Sequence, residues 1–457
     1  MKDFGPGDCQ GSDEPGCFAE EGPGRPTNSH FFERSSIFRK LPMQLPHGLR
    51  ALAYPGFRLF MAGQGAAQVG NWQQLIATSW LVYALSGSTL MLGLAAFALQ
   101  IPFLLMAPVT GPLLDRFDTR RVLLVANGVA CSQSVVMLAL VATGLLRPWH
   151  IVLANLVLGV VNAFDSPARQ SLLSQMVDRK EDLANAIALN SSMMAGARFI
   201  GPTLAGAIIA TFGQVWAFGA NAILRFAIIA ALRAMRLASV TGNAVPEPWL
   251  RQFAGGLRYA HRFTPCRNSL WLLATMSFTI QTHAAMMPWF VRERFHGDSR
   301  TLGMLLGAAG LGALAGMLYL ATRRGVNWLL RLIGIASVMA ALATIGFAVA
   351  PMVWMGFSML FLVGMGTMLT AASVNTLIQL AAPQEFRGRV ASLYVVSFLG
   401  VSPLGALFWG WAAEHVGTPA ALTACGVVLL LASVMYMATV ASMRERVRSV
   451  YSRMNLS

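Results

Sequence analysis

A chain of 457 residues with 56% hydrophobic and only 12% charged side chains, at a mean hydropathy of +0.58, is too apolar for a water-soluble fold. Its formal charge of +15 does not indicate nucleic acid, because the arginines stand in short gaps between apolar runs and not along one polar face. Five scattered cysteines (Cys9, Cys17, Cys131, Cys266, Cys425), without a C-x-x-C pair or a histidine at ligand spacing, leave no disulfide framework and no metal site to expect.

Residues 1–50 open rich in Gly, Pro and acids and lack the apolar core of a signal peptide, so a disordered cytoplasmic tail is expected. Met43, just ahead of the first apolar run, is an alternative start. Apolar stretches follow at 57–85, 89–114, 121–145, 149–176, 183–210 and 214–236. After a polar stretch come 267–291, 299–322, 327–350, 352–382, 389–414 and 419–443. Each exceeds the roughly 20 residues needed to cross roughly 30 Å of hydrocarbon. The fold class is therefore an all-α membrane protein of twelve transmembrane helices, divided into six-helix halves at 51–236 and 267–443, with a connector at 237–266 and a cytoplasmic tail at 444–457.

In the connector, Trp249, Phe253 and Leu257 recur at helical spacing, away from Arg251, Arg258 and Arg262, which predicts an amphipathic helix on the anionic inner leaflet. Loops on the side of the termini hold Arg116, Arg120, Arg121, Arg179, Lys180, Arg236, Arg323, Arg324, Arg387 and Arg389. Those on the other side hold only Arg147, Arg292, Arg294 and Arg300, so both termini are expected in the cytoplasm. The two halves also echo each other, with Gly201-Pro202 and Gly206 of the fifth span answered by Pro403 and Gly405 of the eleventh. Such parallel repeats belong to transporters that rock two halves about a site at the membrane midplane.

Between the second and third spans stands Gly111-Pro112-Leu113-Leu114-Asp115-Arg116-Phe117-Asp118-Thr119-Arg120-Arg121, and here the chain resembles the major facilitator superfamily. SPARQSL, DLANAIALN, ARFIGPTLAG and GNWQQ are similar to its enterobactin-exporter-like efflux branch, over essentially everything after residue 50. Physically, Gly111 permits close helix approach, Asp115 suits a helix N-terminus, and Arg120 and Arg121 are placed to meet Asp178, Glu181 or Asp182. Together with Arg116 they form a candidate cytoplasmic latch. ARFIGPTLAG resembles an antiporter signature and, through Gly201, Pro202 and Gly206, predicts a kinked fifth helix; Ala197 and Ala205 depart from that signature.

Charges inside spans are costly and mark partners or function. Asp165 and Arg169 lie four apart on one helix face, as an ion pair or as proton-coupling groups, with His283 the other candidate proton carrier. Arg198 and Arg225 remain as excess positive charge for an anionic substrate. The amides Asn71 and Gln74 of the first span, with Gln281 and His283 of the seventh, complete the candidate cavity.

No H-E-x-x-H, G-x-S-x-G or phosphate-binding glycine loop occurs, so neither an enzyme nor an ATP-driven pump is expected. The expected function is secondary active export of a small molecule, such as a siderophore, from the bacterial cytoplasm by alternating access coupled to protons. The protein is expected in the inner membrane, as a monomer without cofactor. A multidrug or macrolide efflux pump and a carrier of lipid-like molecules are the alternatives.

Overall fold

The computed structural model describes residues 47–177, 179–235, 257–258, 261, 263–280, 283–322, 328–381 and 387–454. The tail before residue 47, Met43 included, lies outside the described residues, as do Gln281, Arg323, Arg324 and most of the connector. After a short 3-10 turn at His47–Ala53 come α1 (Pro55–Ser86), α2 (Thr89–Arg116), α3 (Thr119–Ala142), α4 (Pro148–Gln175), α5 (Lys180–Phe212) and α6 (Gln214–Ala234). The second half contains α7 (Thr264–Thr279), α8 (His283–Trp289), α9 (Ser299–Ala321), α10 (Leu329–Val349) and α11 (Val353–Ala381). It closes with α12 (Arg387–Val395), α13 (Ser402–Val416) and α14 (Thr418–Met454).

The chain makes twelve crossings, with α7 and α8 forming the seventh and α12 and α13 the eleventh. Both of these are continuous by hydropathy, yet each contains a π-helical turn, at Phe290–Arg294 and Val396–Gly400. Pro288 and Pro403 stand beside those turns, where a missing N–H interrupts the ordinary ladder. Ten helices among the described residues are long and apolar enough to span a membrane by composition. The first crossing falls short because α1 carries Gln64, Gln68, Asn71, Gln73 and Gln74, and the seventh because it is split. Around the outside, Leu105, Val125, Ile223, Trp271 and Met435 are 61 to 73% exposed, an apolar belt that only lipid solvates favourably. The last helix runs on to Met454, through most of the segment expected as tail.

Within the first half α1 packs on α5 and α6, α3 on α4 and α6, and α2 on α4; within the second, α11 packs on α9 and α10, and α14 on α7 and α10. The halves meet chiefly through α5 against α9 and α2 against α13. Glycines permit both approaches. A Cβ on Gly206 would fall 2.5 Å from the Ser299 carbonyl oxygen, and one on Gly303 2.4 Å from that of Pro202. On the other side a Cβ on Gly93 would fall 2.5 Å from the Ala406 carbonyl oxygen, and one on Gly410 2.9 Å from Gly93 Cα.

The apolar core is distributed unevenly along the membrane normal. At the end remote from the termini one cluster joins both halves, with Leu81, Leu92 and Ile209 packed in the same core as Phe290, Leu302 and Trp409. At the end where α1 begins and α14 finishes, the core is two separate clusters, one around Phe60, Leu172 and Ile228 and the other around Leu270, Ile333 and Tyr436.

Candidate functional site

The polar face of α1 organises the first half. Gln74, 2% exposed, donates from Nε2 to Gln133 Oε1 at 2.7 Å and accepts at Oε1 from Ser134 Oγ at 3.0 Å and from Asn221 Nδ2. One amide thus ties α1 to α3 and α6. Gly70 makes room for this, since a Cβ there would meet Asn221 Oδ1. Buried amides in a membrane require such mutual satisfaction.

A second chain of contacts crosses five helices. Arg225, 4% exposed, donates from Nη2 to Asn71 Oδ1 and from Nη1 to Asn127 Oδ1 at 3.4 Å. Asn127 Nδ2 donates to Asp165 Oδ1 at 3.0 Å, and Asp165 Oδ2 lies 3.7 Å from Arg169 Nη1. In the other direction Asn71 Nδ2 donates to Gln68 Oε1 at 2.8 Å, and Gln68 Nε2 to Met194 Sδ. Arg225 Nε is buried without an acceptor among the described residues.

Two cavities adjoin this chain. One of about 240 Å³ lies within the first half and is lined by Asn71, Gln74, Asn155, Asn162 and Arg225, with Trp72 and Met194 at its edge. The other, about 350 Å³, lies between the halves, bounded by Arg169, Asn190, Met194 and Arg198 on one side and Gly310, Met317 and Met368 on the other. Asn190, Met194 and Arg198 follow at four-residue steps and so present one face of α5 to it. The Arg198 guanidinium stands 5.8 Å from the Trp72 ring centroid, at cation–π distance. Gly201 seats that ring, since a Cβ there would lie 2.5 Å from Trp72 Cβ.

The structure therefore brings together Asn71, Gln74, Asp165, Arg169, Arg198 and Arg225, and leaves His283 apart. His283 Nδ1 contacts the Ile280 carbonyl of its own crossing, and the residue lines neither cavity. Asn127, Asn155, Asn162 and Asn190 belong to the site and were not singled out from sequence. The available signal was an asparagine inside an apolar run.

At the terminal end, the surroundings of Gly111 and the side chains of Asp115 and Arg116 lie outside what is described, as do Asp178 and the side chain of Glu181. Arg120 meets carbonyls where an acid was expected: Nε donates to Leu232 O at 2.7 Å and Nη2 to Arg233 O at 2.9 Å, which caps the C-terminus of α6. Arg121 is an exposed neighbour of Asp118 at 3.8 Å, and Asp182 accepts from the Tyr54 hydroxyl at 2.9 Å. Pro202 lies inside α5 as expected, with Gly201 on Trp72 and Gly206 on α9.

At the remote end the halves are joined by polar contacts. Glu414 of α13 accepts at Oε2 from Thr89 N at 2.8 Å, Thr89 Oγ1 at 3.0 Å, Ser88 Oγ at 3.1 Å and Leu90 N at 3.2 Å. A carboxylate of one half thus caps the first turn of α2 in the other. Beside it the Tyr83 hydroxyl donates to Glu293 Oε1 at 3.1 Å.

Residues 48–455 match the family described as transmembrane secretion effector. The staphyloferrin A transporter of Staphylococcus aureus is 23% identical over 367 residues, 76% of this chain and 87% of that protein. The multidrug efflux pump Tap of Mycolicibacterium fortuitum is 26% identical, covering 80% and 91%, and the enterobactin exporter EntS of Escherichia coli 24%, covering 86% and 93%. Among solved structures, a bacterial homologue of the human lysosomal transporter Spinster superposes with a TM-score of 0.65 at 14% identity, over 88% of this chain and 99% of the other.

Proposed function

Because the chain belongs to the transmembrane secretion effector family of the major facilitator superfamily, we propose that it exports an anionic small molecule from the bacterial cytoplasm by alternating access. The observation that carries this reading is Arg198, a guanidinium in the cavity between the halves whose recorded partner is the Trp72 ring. A carboxylate entering that cavity gains a charge-assisted contact without breaking an ion pair. Siderophores are one source of such acids, and relatives named for staphyloferrin A and enterobactin support that class.

The arginine distribution supports an inner-membrane protein with both termini cytoplasmic. In that orientation the shared core seals the outside and the two separate cores stand apart toward the cytoplasm, so the state is inward-facing. The energy source is the proton gradient, with Asp165 as the carrier: hydrogen bonds through Asn127 link it to Arg225, whereas the His283 ring meets, among the described residues, a carbonyl of its own crossing. Protonating Asp165 loosens Arg169 and removes the negative charge nearest Arg225.

Export is tested in inverted vesicles carrying the protein, loaded by an imposed proton gradient with a panel of siderophores and drugs. Uptake of an acidic siderophore, lost with a protonophore and reduced at least tenfold in Arg198→Gln, is the expected result. Uptake of a neutral or cationic drug that is indifferent to Arg198→Gln moves the protein to multidrug efflux, a reading that Trp72, Met194, Met317 and Met368 favour as an adaptable apolar lining.

A further inference from the structure

Trp72 and Met194 appear in the linings of both cavities, so these two side chains are the partition between them. Each cavity has its own guanidinium: Arg225, buried, in the first, and Arg198 on the wall of the second. Arg169 also lines the second, but its charge is matched by Asp165. The group of Asp165, Arg169, Arg198 and Arg225 therefore holds three positive charges and one negative, leaving a net charge of two, with one unmatched guanidinium in each of the cavities that Trp72 lines.

The direct contacts of these two arginines among the described residues are with neutral groups. Arg225 spends its terminal nitrogens on the oxygens of Asn71 and Asn127 and keeps a buried Nε without an acceptor. In the second cavity Asn190 Oδ1 is likewise buried without a donor. A guanidinium that meets only amides, as Arg225 does, or an aromatic face, as Arg198 does, still lacks a counter-charge, and a ligand with one acid supplies half of what is missing.

We infer that the two cavities are the ends of one elongated site for a molecule carrying two acidic groups, one held at Arg198 and the other at Arg225, with an apolar segment across Trp72 and Met194. Binding requires the Trp72 ring to leave Arg198, which opens the partition and gives the second acid its place. The inference rests on the anion-export reading above and adds the number and spacing of the acids. Asn190 accepts a hydrogen bond from a hydroxyl or amine near the Arg198 end, and the unused Nε of Arg225 takes a second oxygen of the acid at the other.

The test uses the full chain purified into nanodiscs, with a series of straight-chain α,ω-dicarboxylates of increasing length and their monomethyl esters, read by calorimetric titration. Affinity is expected to peak at one chain length, and the diacid of that length to bind roughly tenfold or more tightly than its monoester, the loss of one charge-assisted contact. Arg198→Gln and Arg225→Gln are each expected to bring the diacid down to the monoester value. Should Arg225→Gln not fold, Arg225→Lys keeps the charge and is expected to retain the preference for diacids, while the comparison of diacid with monoester on the unaltered protein needs no variant. Equal binding of diacid and monoester at every length, or a diacid affinity that Arg225→Gln leaves unchanged, overturns the two-acid site and leaves anion export standing. Failure of the unaltered protein to bind any of these acids, together with indifference of vesicle transport to Arg198→Gln, overturns both.

Discussion

Arg198 and Arg225 carry the same charge into the same half of the molecule and meet different surroundings. Arg225 is wired into Asn71 and Asn127, whereas Arg198 rests on an aromatic face. Arg198→Gln is accordingly expected to leave the melting temperature of the purified protein unchanged while transport of the acidic substrate falls. Asn221→Leu should behave in the opposite way. It removes two hydrogen bonds from a dry interior, those that Asn221 donates to the Gln74 carbonyl and the Ser134 hydroxyl, at a cost of about 1–3 kcal/mol, which thermal unfolding in detergent would detect. The charges were legible in the sequence because any ionised group interrupts an apolar run. Their partners were not, since Asn71 and Arg225 lie 154 positions apart and Asn127 and Asp165 38 apart, and an isolated asparagine in a helix has no local pattern. Arg120 illustrates the same limit: its charge was visible, but the acceptors it finds are backbone carbonyls, which every residue possesses.

At the scale of elements, hydropathy located the crossings to within a few residues, apart from the C-terminal extension of the last helix to Met454, because the lipid core imposes a length on each. It missed the interruptions in the seventh and eleventh, where composition stays apolar while hydrogen bonding changes register. The helix contacts between halves depend on residues too small to register in hydropathy. Gly303→Val would drive a side chain into the Pro202 carbonyl and force α5 from α9, opening the remote end. The expected readout is faster labelling, by a membrane-impermeant thiol reagent, of a cysteine introduced at Ser299. Gly196→Ala on the facing helix α5 is the control, because a Cβ there meets nothing within 4 Å, and labelling should match the parent. An outcome in which both substitutions act alike would separate helix approach from glycine content.

For the molecule as a whole, the uneven core means that one end must come apart while the other comes together. Glu414→Gln keeps the shape of the contact with α2 but gives up the negative charge at that helix start. Spin labels placed on the remote ends of the two halves should then show a larger share of the long distance, with the fold otherwise intact. Unchanged distances would place the closing force in the apolar core alone. The donors that meet Glu414 are two backbone N–H groups and two hydroxyls, all of them groups that water hydrogen-bonds readily. Separation of the halves is thus an exchange reaction in which each donor trades a carboxylate for solvent. Exchange of this kind keeps the closed and opened forms near one another in free energy, and a gate on such terms can be reset once per molecule carried.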